Sequence, residues 1–434
     1  MDSLLASFLF VVGLLGVLLV GSIWVGTALF IVGIAGFHFF LNIPWGNILS
    51  TIAWNSTSSS TMFALPLFVW MGEILFRSKI SENLFNGLAP WLDSIPGRLI
   101  HVNVFASAIF AAVSGSSAAT TATVGKITLP ELLKRGYDRG LAIGSLAGSG
   151  TLGFMIPPSM MMLVYGILAD VSIGKLFIAG VIPGIMIALM FSGYIVTRSL
   201  LDPNVAPKAK SSYTWGDRIR AIPKVAPAVI LVIIVLGSIY TGWATPTEAA
   251  AVGVLGSLLF AWGMRSFDFK TFKEAMISSV KTSCMIMWIV CGASFFSVAM
   301  GYLGITQGVA QFVGGLGLSR YTLIVILSLM YLVLGCLVDG FSMIVMTLPI
   351  VLPLIKMAGF DPLWFGIYLV IMIQVAQITP PVGFNLFVIK GLIGEELTTI
   401  AKDALPFFVM LFLATAIITV FPGLVLYLPS LMIK

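Results

Sequence analysis

Two stretches, GSGTLGFMIPPSMMM at 148–162 and QVAQITPPVGFNLF at 374–387, each set a proline pair inside a long apolar run. Two consecutive prolines remove two main-chain donors and hold the preceding residue out of the helix, so the carbonyls ahead of them lose their usual partners. Pro380 and Pro381 follow Pro157 and Pro158 by 223 residues, and the same offset carries Pro130 onto Pro353, Pro183 onto Pro406, Gly136 onto Gly359 and Asp138 onto Asp361. With 21 prolines in 434 residues, chance would align roughly half a pair over the overlap, so four matched pairs indicate an internal repeat. Interrupted apolar segments at matching places in two halves point to the binding site of a secondary transporter.

Charged residues make up 9% of the chain and hydrophobic ones 59%, against a soluble norm of about 25% charged. Uncharged stretches run over 3–72, 141–169, 176–197, 225–247, 282–319, 362–389 and 404–433, each near or above the ~20 residues that cross a bilayer. The expected fold is an all-α polytopic membrane protein of two repeats, 1–215 and 216–434, each with about five crossings, a re-entrant hairpin and a broken helix. In the first repeat the hairpin falls at 101–135 and the broken helix at 140–168; in the second they fall at 321–357 and 362–391.

Each hairpin holds two apolar arms around a small polar centre, Ser114 to Thr121 in the first and Val338 to Ser342 in the second. Non-helical backbone at membrane depth is tolerated only where it is buried in protein or lines a cavity. Carbonyls freed by the proline pairs, beside Ser and Thr hydroxyls, make a hard-oxygen cage for a small cation; kinked helices packed among their neighbours are the alternative. Asp339 lies between Arg320 and Lys356 at the second tip, where an ionisable group is costly and implies a role. It could ligate a cation, relay a proton, or cap the helix that begins beyond it. In ATPTEAAA, Thr245, Pro246 and Glu248 form a capping box and mark a structural helix start.

The net charge of +6 reports orientation. Arg77, Arg98, Lys134, Arg135, Lys208, Lys210, Arg218 and Lys270 fall in connections on one face of the expected topology, whereas Lys175, Arg320, Lys356 and Lys434 fall on the other. By the positive-inside rule both termini lie outside and the Pro203–Lys224 linker inside. An odd number of crossings per half inverts the repeats. Residues 79–97 and 264–281 read as interfacial arms in comparable places of the two halves, with plain loops as the alternative. Cys284, Cys291 and Cys336 have no metal-ligand spacing and read as buried hydrophobes. With no basic region ahead of Arg77, Met1 reads as the start of the mature chain. His38 and His101 are the chain's histidines and no HExxH or GxSxG occurs, which argues against an enzyme. VGKIT at 124–128 lacks the hydroxyl residue after Lys that a phosphate loop needs, which argues against ATP.

ATPTEAA at 244–250, SGSSAATTATVG followed by LPELLKRGY, TLGFMIPPS and QITPPVGFNLFVIKG together resemble the large membrane subunit of tripartite ATP-independent periplasmic (TRAP) transporters. The resemblance spans essentially the whole chain. It implies an elevator-type sodium symporter of the bacterial inner membrane, with a scaffold and a moving part that holds both hairpins and both broken helices. It also implies two partners, a small membrane subunit of four helices, not fused here, and a periplasmic binding protein. The implied cargo is an organic acid such as a C4-dicarboxylate or a sialic acid, with Na+ as coupling ion, no organic cofactor and no nucleic acid. Carried onto this chain, the first sodium site comprises Ser114, Ser116, Gly153, Ile156 and Pro158. The repeat then suggests a second at Asp339, Gly340, Ala376, Thr379 and Pro381. The substrate would sit between the hairpin tips, where Ser117, Thr120, Thr121 and Asn385 offer donors. A standalone sodium- or proton-coupled carboxylate symporter, needing no binding protein, is the alternative.

Overall fold

The computed structural model describes residues 2–41, 43–207 and 213–432, so Lys208, Lys210 and Lys434 of the charge argument lie outside the described residues. The first half contains α1 (Asp2–Val20), α2 (Val25–Gly36), α3 (Trp45–Ser58), α4 (Ala64–Arg77), α5 (Ile80–Leu92), α6 (Ile100–Ser114), α7 (Ser117–Lys134), α8 (Arg139–Gly150), α9 (Met160–Ala169) and α10 (Ile173–Leu201). The second contains α11 (Trp215–Tyr240), α12 (Pro246–Gly263), α13 (Phe269–Tyr302), α14 (Ile305–Gly315), α15 (Arg320–Gly335), α16 (Gly340–Met357), α17 (Pro362–Gln377), α18 (Phe384–Ile393), α19 (Leu397–Val420) and α20 (Gly423–Ser430). Among the described residues, six helical segments, including 173–201, 269–302 and 397–420, are long and apolar enough to cross a membrane. The molecule is an all-α polytopic membrane protein.

Shifted by 223 residues, α7 at 117–134 falls on 340–357, the bounds of α16, and α5 to α10 each fall on one helix of α14 to α19 to within a few residues. Packing repeats the pairing. The α2 helix packs on α13 as α12 packs on α4, α5 on α11 as α14 on α1, α7 on α18 as α16 on α9, and α8 on α19 as α17 on α10. Contacts that recur with the partners exchanged are isologous, so a pseudo-two-fold axis relates the halves.

The same register corrects the arm in the second half. Residues 269–281 are no separate element but the first turns of the 34-residue α13, and the counterpart of α5 is α14. In the first half that long helix is cut in two, α3 and α4, by the run STSSST at 56–61. There Ser58 Oγ bonds back to Trp54 O at 2.7 Å and Ser59 Oγ meets Thr61 Oγ1 at 2.7 Å. Such local bonds offer the backbone an alternative to helix. The second half has no such run, and α13 starts from Asp268, whose exposed carboxyl is held below the usual carboxylate range by hydrogen bonds from Thr271. The cysteine expectation is also revised. Cys291 is buried, but Cys284 stands on the exposed face of α13 and Cys336 is half-buried near a hairpin tip.

The expected capping box of Thr245 with Glu248 forms ahead of α12, and a second, Thr214 with Asp217, stands ahead of α11. Glu248 therefore has the structural place its sequence context implies.

Candidate cation and substrate sites at the hairpin tips

The first tip forms where α6 ends and α7 begins. Gly115 takes φ +60° there, the left-handed conformation that ends a helix, and Ser116 caps α7 by accepting from Ala119 N at 3.4 Å. The tip packs backbone to backbone on the break in the α8–α9 helix. Met160 N donates to Gly115 O at 3.5 Å. A Cβ on Gly115 would stand 2.8 Å from Pro158 O, and one on Gly153 would stand 2.5 Å from Ser116 O. Ser114 Oγ lies 3.0 Å from Thr120 Oγ1. Ser114, Ser116, Gly153 and Pro158 are thus brought together. Ile156 presses its side chain toward Gly184 of α10, which leaves its carbonyl as the only group it can offer to a cation. Carbonyl and hydroxyl oxygens without a carboxylate suit a singly charged hard cation.

The second tip is built differently. Asp339 caps α16, accepting from Phe341 N at 3.0 Å, from Ser342 N at 3.5 Å and from Ser342 Oγ. Its bonds stay within its own helix, and both Asp339 and Pro381 are exposed. Gly340 packs toward Ile373 and Met161. Ala376 meets the hairpin arm instead of the tip. A Cβ on Gly335 would fall 2.3 Å from Ala376 Cβ, and Cys336 Sγ reaches Pro380 O at 3.2 Å. Thr379 spends its hydroxyl on Val375 O at 2.7 Å, while its carbonyl accepts from Gly383 N at 2.9 Å. Asp339 and Gly340 are therefore not drawn against Ala376, Thr379 and Pro381 as Ser116 is against Gly153.

The four residues expected to touch substrate are closed off, each fully buried. Ser117 Oγ donates to Asn385 Oδ1 at 2.9 Å, and Asn385 Nδ2 reaches Ala147 O at 3.4 Å. Thr120 and Thr121 bond back to Ser116 O and Ser117 O at 2.8 and 2.9 Å. A Cβ on Gly150 would land on the Thr121 hydroxyl. In this conformation the four form a polar seam joining α7 to α8 and α18 and do not line an open pocket.

Two residues that the motif reading passed over stand at the centre. Thr151 Oγ1 lies 2.7 Å from Gly148 O and 3.1 Å from Gln374 Oε1. They are separated by the repeat offset itself, which is the signal that could have singled them out.

The two hairpins are also unequally covered. The α6 arm is enclosed by α4, α5, α10 and α11, whereas α15 rests on α17 and α16. Phe110 and Ala106 on α6 are 1% and 3% exposed; Val333 and Leu329, at the same places on α15, are 61% and 57% exposed. Around Leu84, Phe85, Phe110 and Thr123 only a 10 Å³ void remains. In the second half a 310 Å³ cleft lies between α13, α14, α16 and α9, lined by Ser297, Thr306, Gln307, Val345 and Leu348, of which Gln307 is the counterpart of Leu84. Tyr331 OH to Thr347 Oγ1 (2.9 Å) and Tyr368 OH to Ser328 Oγ (2.8 Å) tie the bare arm to its own hairpin and broken helix.

The family model described as "Tripartite ATP-independent periplasmic transporter, DctM component" matches residues 12–424. The chain is 34% identical over 373 residues to the C4-dicarboxylate TRAP transporter large permease protein DctM of Pseudomonas aeruginosa, covering 85% of this chain and 86% of that one. It is 29% identical over 422 residues to the sialic acid TRAP transporter large permease protein SiaM of Vibrio cholerae, covering 96% and 97%. Among solved structures, the Alcanivorax borkumensis YdaH transporter shares the fold, with a TM-score of 0.62 at 14% identity over 87% of this chain and 88% of that one. The chain therefore belongs to the tripartite ATP-independent periplasmic transporter family as a large permease component, a multi-pass protein of the inner membrane and not an enzyme.

Proposed function

We propose that the chain imports an organic acid by sodium-coupled elevator motion, together with a small membrane subunit and a periplasmic binding protein that delivers the cargo. The relatives named above take C4-dicarboxylates and sialic acid, so the proposed cargo class is a carboxylate. The positive ends of helices that begin at the two tips and beyond the two breaks favour an anion. Both termini are assigned to the periplasm and the linker between the halves to the cytoplasm, which inverts the repeats with respect to each other.

The observation that carries the reading is the unequal covering of α6 and α15. Two halves related by a pseudo-two-fold axis have equivalent surfaces, so the buried face of α6 has a bare counterpart in α15 that the scaffold can receive in turn. In the exchanged state α15 docks against α14 and α13, and α6 is released from α5 and α4, the contacts it makes here.

The test uses paired cysteines in a chain whose Cys284, Cys291 and Cys336 have been replaced. Leu84→Cys with Phe110→Cys reports the docked first hairpin, and Gln307→Cys with Val333→Cys reports the docked second one. Under turnover conditions in membranes both pairs should cross-link, and each link should halt transport. If the first pair links readily and the second never does, the exchange is wrong.

A further inference from the structure

Thr151 opens the short 3-10 turn Thr151–Phe154 that holds Gly153 against the Ser116 carbonyl. Gln374 sits in the last turn of α17, two residues before Ala376 and five before Thr379. Both side chains are completely buried, and they meet at 3.1 Å across the repeat offset. Residues at equivalent places in related halves can touch only on the axis that relates them. The pair is therefore a polar tie between the two broken helices, placed where it pulls on both alike.

The tie is incompletely satisfied. The Thr151 hydroxyl has one proton and two acceptors within reach, Gly148 O and Gln374 Oε1. Gln374 Nε2 has no partner among the described residues. Turning the amide over makes a continuous chain, Gln374 N–H to Thr151 O–H to Gly148 O. As placed, one polar atom of a fully buried amide is unpaired among the described residues. Such a bond is strong in low dielectric and sensitive to small movements of either backbone.

We infer that Thr151 and Gln374 are positioning residues that couple the two broken helices, so that a cation settling the break beside Ser116 sets the turn of the other and assembles the second candidate site, which stands apart in this conformation. The inference rests on the sodium reading above. A cation drawing on the carbonyls around Gly153 and Pro158 fixes the turn that begins at Thr151. Through the tie it fixes the end of α17 ahead of Ala376 and Thr379. Coupling of this kind is reciprocal, so either site can be first.

The experiment is an equilibrium sodium-binding titration of the purified full chain, below its unfolding range and at constant total sodium plus potassium, followed by intrinsic tryptophan fluorescence. Wild type should give a sigmoidal curve with a Hill coefficient above one. Thr151→Val and Gln374→Met, which keep shape and remove the tie, should reach a similar saturating fluorescence change on a hyperbolic curve. Thr151→Ser keeps the hydroxyl and should keep the sigmoid. The double variant Thr151→Val with Gln374→Met removes both partners together, a change close to neutral for folding, and should be no less stable than either single variant. A merely structural role would move the midpoint of unfolding and leave the sodium curve sigmoidal. Sigmoidal curves in the Val and Met variants, or a hyperbolic wild type that nonetheless responds to sodium, would overturn the coupling and leave the sodium reading standing. A wild type indifferent to sodium would remove that reading and the inference with it, before any variant is measured.

Discussion

A Cβ at Gly153 would stand 2.5 Å from the carbonyl oxygen of Ser116, so the broken helix touches the first hairpin tip through main chain alone. The repeat-related position is Ala376, whose Cβ occupies the space that Gly335 leaves free on the α15 arm. One methyl group thus distinguishes a broken helix in backbone contact with a tip from one held against an arm.

Gly153→Ala should push the tip away from the break. Overpacking of this kind costs about 1–3 kcal/mol, and the displaced carbonyl should weaken the first cation site. Unfolding midpoints in sodium and in potassium measure both effects. A loss of stability with undiminished sodium stabilisation would show that Ser116 O and Gly153 serve packing only.

Asp339 performs a cap whatever else it does. Asp339→Asn keeps a good capping residue and should leave stability in potassium near wild type, while weakening sodium stabilisation. Asp339→Ala should lose roughly 1 kcal/mol from the cap alone. Wild-type sodium stabilisation in the Asn variant would reduce Asp339 to its capping role.

Ser117→Ala tests the polar seam. Asn385 Oδ1 would lose its donor in a fully buried place, and an unsatisfied buried group costs about 1–3 kcal/mol. The expected result is lower thermal stability, measured without any substrate. Unchanged stability together with impaired uptake would return Ser117 to the substrate-contacting set.

The helix ends at the two turns, near Gly115 and Asp339, and the interruptions at the two proline pairs were legible because proline and glycine act locally and their spacing survives in the chain. The bounds of α7 and α16, a whole offset apart, follow from residues that start and stop helices. The second arm was misplaced because similar amphipathic composition at 79–97 and 264–281 outweighed the offset. That α13 runs straight where α3 and α4 are divided depends on a short Ser/Thr run whose effect is felt only when a helix has to continue through it. Ser114, Ser116, Gly153 and Pro158 could be named from motif, but the different build of the second tip could not. It turns on which of Gly335 and Ala376 carries the methyl group, a matter of three-dimensional contact. Ser117, Thr121 and Asn385 looked like substrate donors because a polar residue in an apolar segment needs a partner, and the chain itself supplies that partner.

The most direct measurement is the thermal stability of the purified chain in sodium against equal potassium, with Ser116→Ala alongside, because a ligand that binds only the folded state raises its apparent stability. The account predicts sodium-specific stabilisation of the wild type, reduced in the variant, whose lost hydroxyl caps α7 beside Gly153. Equal stability in the two salts, or sodium stabilisation indifferent to the variant, would contradict it.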